Sequence, residues 1–206
     1  MNYLGEGWQC IVYDLENGRV LKKRRSLVSQ CFKILRTGGL REIWKGELLR
    51  SDRDYKQSLQ LVNRLSASPM FDIALLGNPI IKNLNYTQDK VVPLGEMLDR
   101  ATFEESKELL RQYVQLVKYL WKFGIHEKSM KFRTATGVSG DGILIVIDFG
   151  EVTTDKKAVV SSIATKRWLR SNSYKKTINE KLKLYYAELM EQTITVQALQ
   201  EIWHTF

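Results

Sequence analysis

The feature that most restricts the fold is the run Ile143-Leu144-Ile145-Val146-Ile147, which stops at Asp148-Phe149-Gly150. A short aliphatic run without polar alternation, rich in β-branched residues, reads as a strand buried on both faces rather than as a helix. Gly140-Asp141-Gly142 ahead of it is a turn signal. The sequence therefore delivers Asp148 to the end of a buried strand, with Phe149 able to pack and Gly150 able to permit a sharp turn. Such an aspartate is either a solvated turn residue or a metal-binding carboxylate.

The flanking segments differ in period. Tyr3 to Lys23 reads as a β-hairpin, with Cys10–Tyr13 extended, Asn17-Gly18 as turn residues and Arg19–Lys23 extended again. Leu40 to Leu65 is rich in helix formers, Thr37-Gly38-Gly39 marks its start, and Gly46 is placed to kink or split it. Ser66 to Pro79 reads as an irregular connection, followed by strand-like Ile80–Tyr86 and Lys90–Pro93. Thr102-Phe103-Glu104-Glu105 has capping-box spacing, and Leu109, Tyr113, Leu116, Leu120 and Phe123 recur at helical intervals up to Gly124. After Gly150 the chain reads as helices over Val159–Leu169 and Tyr174–Met190, the second with a stripe of Tyr174, Ile178, Leu182, Tyr185 and Leu189. Strands first and helices later give an α+β fold.

Composition narrows the function classes. With 206 residues and 44% hydrophobic content, the chain can build one sizeable core or two small lobes. No apolar run approaches the about 18 residues of a membrane span, and Met1 to Tyr13 lacks a basic segment followed by an apolar one. Cys10 and Cys31 have the spacing of neither a disulfide framework nor a zinc site, so a reduced, cytoplasmic protein is expected. The net charge of +9 is concentrated in Lys22–Arg25 and in Lys156–Lys183, where nine basic residues face only Glu180. That distribution fits either a solvated face or an anionic partner.

One constellation carries chemistry. Leu4-Gly5-Glu6-Gly7-Trp8-Gln9 leads into the first hairpin strand, either as a plain two-glycine turn or as a loop whose glycines allow backbone N–H groups to approach a phosphate. On the next strand, which follows Val12, alternation puts Val20 and Lys22 on one face, so Lys22 can offer a point charge beneath the loop. Among the acidic residues of the following helix, Glu42 is the first choice of ion-pair partner for that lysine and Glu47 the reserve, and an exposed helical ion pair is the alternative for either.

The order of glycine loop, strand lysine, helical glutamate, long helix, loop and Asp-Phe-Gly resembles the protein-kinase superfamily over Leu4 to about Glu151. The short hairpin, early basic insertion and brief tail are similar to small bacterial kinase-like proteins of the PhoP-regulatory-network type, and more distantly to lipopolysaccharide-core kinases. The resemblance implies a single minimal two-lobed domain over 1–206, with a small β-rich N-lobe to about residue 95 and a truncated helical C-lobe from about 96. It implies ATP and Mg²⁺ as cofactors: Gly5, Gly7, Val12, Val20, Lys22 and Glu42 around the nucleotide, and Asp148 on the metal.

The catalytic loop departs from that pattern. Gly124-Ile125-His126-Glu127-Lys128-Ser129-Met130-Lys131-Phe132-Arg133-Thr134 aligns without a gap, placing Ser129 at the catalytic aspartate and Thr134 at the second metal-binding asparagine. A serine hydroxyl can orient a nucleophile but is no proton acceptor near neutral pH. Lys131 either matches the loop lysine that offsets phosphoryl charge in that family or is a surface lysine. Glu127 could replace the missing carboxylate only through a two-residue shift, which would move Lys131 out of register. His126 reads as a packing or surface residue. Three functions follow: an atypical phosphotransferase of low turnover with an unknown acceptor, a pseudokinase regulating or scaffolding a protein partner, or a basic surface for nucleic acid or membrane. The last lacks any zinc-finger, helix-turn-helix or base-stacking signature.

Overall fold

The computed structural model describes residues 1–7, 9–37, 46–150, 152–177 and 179–204. It divides into two compact units, Met1–Lys90 and Val91–Phe206.

The first unit is built on a five-stranded antiparallel sheet in the order β1 (Asn2–Glu6), β2 (Cys10–Asp14), β3 (Arg19–Arg24), β5 (Asn85–Asp89), β4 (Ile80–Lys82). The β2–β3 hairpin forms where Asn17-Gly18 predicts it. Gly18 has φ 76°, a left-handed conformation that costs glycine nothing, and Leu15 N–H closes the turn on the Arg19 carbonyl at 3.0 Å. The expected single strand Ile80–Tyr86 is instead the β4–β5 hairpin, because Asn83 takes φ 59° and reverses the chain. Lys90 is not strand: its N–H bonds the Gly18 carbonyl and its ammonium pairs with Asp14 at 2.6 Å.

Two helices accompany this sheet, α1 (Leu27–Thr37) and α2 (Glu47–Ser66). Gly46 precedes α2, so on the described side the expected Leu40–Leu65 helix begins only after the glycine. Helix α2 buries Tyr55, Leu59, Val62 and Leu65, a stripe at three- and four-residue spacing that fixes which side meets the core.

The second unit holds two small sheets among helices. Strand β6 (Val92–Pro93) leads directly into α3 (Leu94–Arg100), and α4 (Phe103–Trp121) starts at the predicted capping box: Thr102 Oγ1 accepts from Glu105 N–H while Glu105 returns a bond to Thr102 N–H at 2.8 Å. Then follow β7 (His126–Glu127), α5 (Phe132–Ala135), β8 (Thr136–Val138), β9 (Leu144–Val146) and β10 (Val152–Thr153). The sheets run β6-β8-β9 and β7-β10, both antiparallel. Of the aliphatic run, Leu144, Ile145 and Val146 are buried, but Ile143 is 52% exposed because it closes the hairpin loop.

Gly137 is fixed by sterics. A Cβ there would lie 2.3 Å from Val91 Cγ2, closer than real contacts allow, and in a tight contact of 3.0 Å with the Val92 carbonyl.

The tail comprises α6 (Lys156–Ala164), a 3-10 turn at Arg167–Arg170, α7 (Asn172–Lys176), α8 (Glu180–Thr193) and α9 (Val196–Ile202). The expected Tyr174–Met190 helix is interrupted: Thr177 is extended, and Asn179 caps α8 by accepting from Leu182 N–H at 3.1 Å. The restart sets the buried face to Leu182, Tyr186 and Met190, not Leu182, Tyr185 and Leu189. Ile178 lies outside the described residues. Tyr186 packs on Phe132 and Tyr113, with centroids at 4.5 and 6.5 Å. No helix among the described residues is long and apolar enough to cross a membrane.

Candidate functional site

In the first unit, strand register puts Gly5, Val12, Lys22 and Tyr86 in one row across β1, β2, β3 and β5. Directly opposed residues of antiparallel strands share a face. Val20, one pleat along β3 from Lys22, is buried on that same face, as alternation requires. Lys22 is half-buried, with its ammonium 5.5 Å from the Tyr86 ring centroid.

The loop ahead of β2 is tied down from outside. Glu6 accepts a short bond from Arg25 and one of 3.2 Å from Lys33, and these two cations hold its carboxyl below the usual range. Lys33 also bonds the Gly7 carbonyl at 3.0 Å. Gly7 donates its own N–H to the Cys10 carbonyl at 2.8 Å, so in this conformation that group closes the turn instead of facing an anion. Trp8 lies outside the described residues.

Glu42 and the Glu47 side chain also lie outside what is described. An ion pair between β3 and α2 joins Arg24, on the Lys22 face of the strand, to Asp52 at 3.1 Å, both largely buried. Burial raises the Asp52 carboxyl, but bonds from Lys56 and Arg24 more than offset this and hold it low. Arg24 also stacks on Tyr55 of α2 at 4.1 Å, and the Tyr55 hydroxyl donates to the Leu84 carbonyl at 2.9 Å. Alternation from Lys22 to Arg24, followed by the Asp52-x-x-Tyr55 spacing on a helix, is the sequence signal for this contact.

In the second unit the loop Glu127–Lys131 is organised by one carboxylate. Glu127 Oε1 accepts from Ser129 N–H at 2.8 Å and, through a short bond, from the Ser129 hydroxyl; Oε2 accepts from Lys131 N–H at 2.9 Å. Between them Met130 takes φ 50° and is 1% exposed, which turns its side chain into the core and leaves Ser129 and Lys131 half-buried on either side. The left-handed backbone of Met130 costs about 1–2 kcal/mol, and the Glu127 bonds hold it. In the unshifted register Glu127 accepts bonds from both Ser129 and Lys131 and so shapes the loop around them. Thr134 is exposed on α5.

Asp148 is half-buried and accepts from Gly150 N–H at 3.0 Å through Oδ1, which makes the sharp turn after β9. Phe149 is fully buried, worth about 2 kcal/mol of apolar burial. Two links bring this turn to the Glu127 loop. The Ala135 carbonyl, at the end of α5, accepts from Ile147 N–H at 2.8 Å, and Val152, just past the turn, pairs with Glu127 in the β7–β10 ladder.

Beneath the loop lies a cavity of about 20 Å³, lined by Tyr113, His126, Glu127 and Thr136 with apolar neighbours, room for a single water. His126 is structural. Its Nδ1 accepts from Trp121 Nε1–H at 3.1 Å, so the proton of the neutral ring sits on Nε2. Burial, aided by the charge of Arg167, lowers its pKa to about 4. The phenols of Tyr113 and Tyr186 are pushed up by burial, with the Glu127 charge adding to both shifts.

Among the described residues no group of three or more histidine, cysteine, aspartate or glutamate side chains is placed to hold a metal. A Mg²⁺ ion takes only one or two protein carboxylates when phosphates and water complete its shell, and Asp148, whose Oδ1 accepts the Gly150 N–H, is the carboxylate that the sequence resemblance names for it. Of the basic tail residues, Lys166 pairs with Glu191 and Lys183 with Glu180. No protein-family model matches the chain. A search of curated proteins likewise finds no match.

Proposed function

We propose that the chain is a kinase-like protein that binds ATP with Mg²⁺ and transfers phosphate slowly, through the minimal two-lobed arrangement that its motif order suggests. The observation that carries this reading is the cross-strand row of Gly5, Val12 and Lys22. Gly5 and Gly7 would cover the phosphates, Val12 and Val20 would offer apolar contact to the base, and Lys22 would neutralise phosphate charge. Asp148 would hold the metal, and Lys131 would offset charge on the transferring group. Bound Mg²⁺ supplies electrostatic stabilisation of the phosphoryl oxygens.

Two observations favour the pseudokinase alternative. Thr134 is exposed on α5, and the Gly7 N–H is already committed to Cys10. Melting measurements separate nucleotide binding from its absence. At a hundredfold excess over Kd, ATP with Mg²⁺ stabilises by about 2.7 kcal/mol, or about 5–10 °C for a chain of this size. The shift should fall to about half or less in Lys22→Ala and vanish in Asp148→Ala. No shift with any nucleoside triphosphate in the wild type would remove both kinase-like readings that bind nucleotide.

A further inference from the structure

We propose that Ser129 is itself a phosphate acceptor, with Glu127 as the group that takes its proton. The inference rests on the nucleotide reading above and deepens it by naming an acceptor on the chain.

The direction of the Ser129–Glu127 bond is settled by chemistry. Both oxygens of Glu127 already accept backbone N–H bonds, from Ser129 and Lys131, which marks the carboxylate as the accepting partner. The Ser129 hydroxyl must therefore donate, and its hydrogen lies on the Glu127 side. The remaining lone pairs of Oγ turn away from the carboxylate and are available to an electrophile. Ser129 is only half-buried, whereas Met130 beside it is driven into the core, so Ser129 sits partly open on a loop that Met130 anchors. Lys131 follows, backbone-bonded to the same carboxylate. The metal-binding candidate Asp148 belongs to the turn that the β7–β10 ladder joins to this loop.

The step balances with a magnesium-bound nucleoside triphosphate as co-reactant. Ser129 Oγ forms a bond to the γ-phosphorus as the bond from that phosphorus to the β,γ-bridging oxygen breaks. The diphosphate leaves with the bridging electrons, and the hydroxyl proton passes to Glu127 and then to water. Because phosphoryl transfer depends mostly on positioning and electrostatics, a carboxylate engaged in other bonds is an adequate proton acceptor. The product would set a phosphate dianion against the Glu127 carboxylate, breaking the bonds that shape the loop, so the reaction occurs once per chain.

The test is incubation of the full chain with Mg-ATP, followed by intact-mass measurement and peptide mapping, with the melting shift recorded on the same sample. The expected result is one added phosphate on Ser129, at a rate independent of protein concentration. Ser129→Thr should retain it, Ser129→Ala and Asp148→Ala should lose it, and Glu127→Gln should slow it at least tenfold. The wild-type mapping needs no variant to fold. A melting shift without added phosphate overturns the acceptor role and leaves nucleotide binding standing, whereas loss of both overturns the two together. Phosphate mapped to another residue, or a Glu127→Gln rate equal to wild type, also overturns the proposal.

Discussion

Replacing Glu127 by alanine should destabilise the second unit by about 3 kcal/mol, because three donors lose one acceptor. Hydrogen bonds to a charged group contribute about 1.5–3 kcal/mol each when buried. The loop is half-buried, so water can replace part of each bond, and about 1 kcal/mol apiece is the appropriate figure for the Ser129 N–H, the Ser129 hydroxyl and the Lys131 N–H. Met130 would then have to keep its left-handed backbone without that support, or leave the core where it is 1% exposed. Urea unfolding followed by tryptophan fluorescence reports the loss, since buried Trp121 bonds His126, the neighbour of Glu127. With a slope of about 2 kcal/mol per molar urea, the midpoint should fall by about 1.5 M. Glu127→Gln keeps one carbonyl acceptor and should fall by roughly half as much, since about half of the bonds survive. A Glu127→Ala midpoint within about 0.3 M of wild type, at that same slope, would refute the claim that this carboxylate organises the loop.

Two further predictions test the packing around the site. His126 is held neutral, with its pKa lowered to about 4 from the ordinary 6.5. Between those values the unfolded chain binds the proton and the folded one does not, so this contribution is intact above pH 6.5 and is lost as pH falls toward 4, by about 3 kcal/mol in all. Urea midpoints from pH 7 to 4 should show that slope in wild type, and His126→Gln should flatten it. Gly137→Ala should cost about 2–3 kcal/mol, as expected for overpacking, because its Cβ would collide with Val91 and crowd the Val92 carbonyl. A thermal melt matching wild type would show that β6 and β8 can separate more freely than their register implies.

Where local chemistry dictates backbone, the sequence was readable. The Asn17-Gly18 turn and the Thr102–Glu105 capping box need no distant partner, and both form as expected. Strand β8 was not legible, since Thr136-Gly137-Val138 is too short to show alternation and is extended only by pairing with β6 and β9. Helix α1 also went unread, although Ser26 caps it by accepting from Ser29 N–H at 3.2 Å, a signal the neighbouring basic run obscured. In the tail, helical spacing ran straight across Thr177 and Asn179, whose capping chemistry restarts the helix and rotates its buried stripe by one residue. At the site, period-two alternation was enough to put Lys22 on one face with Val20, whereas its place opposite Val12 comes from the hairpin register. The Glu127 contacts were not readable, because a glutamate bonding the second and fourth residues ahead depends on the left-handed turn at Met130, which no residue type there announces.

Titration calorimetry of Mg-ATP into the full chain tests the central proposal most directly. Saturable one-to-one binding is expected, weakened about tenfold to a hundredfold in Lys22→Ala, the loss of one charged hydrogen bond, and abolished in Asp148→Ala when Mg²⁺ is required. Absence of binding in the wild type, or binding that neither substitution alters, would contradict the assignment of Lys22 and Asp148 to a nucleotide.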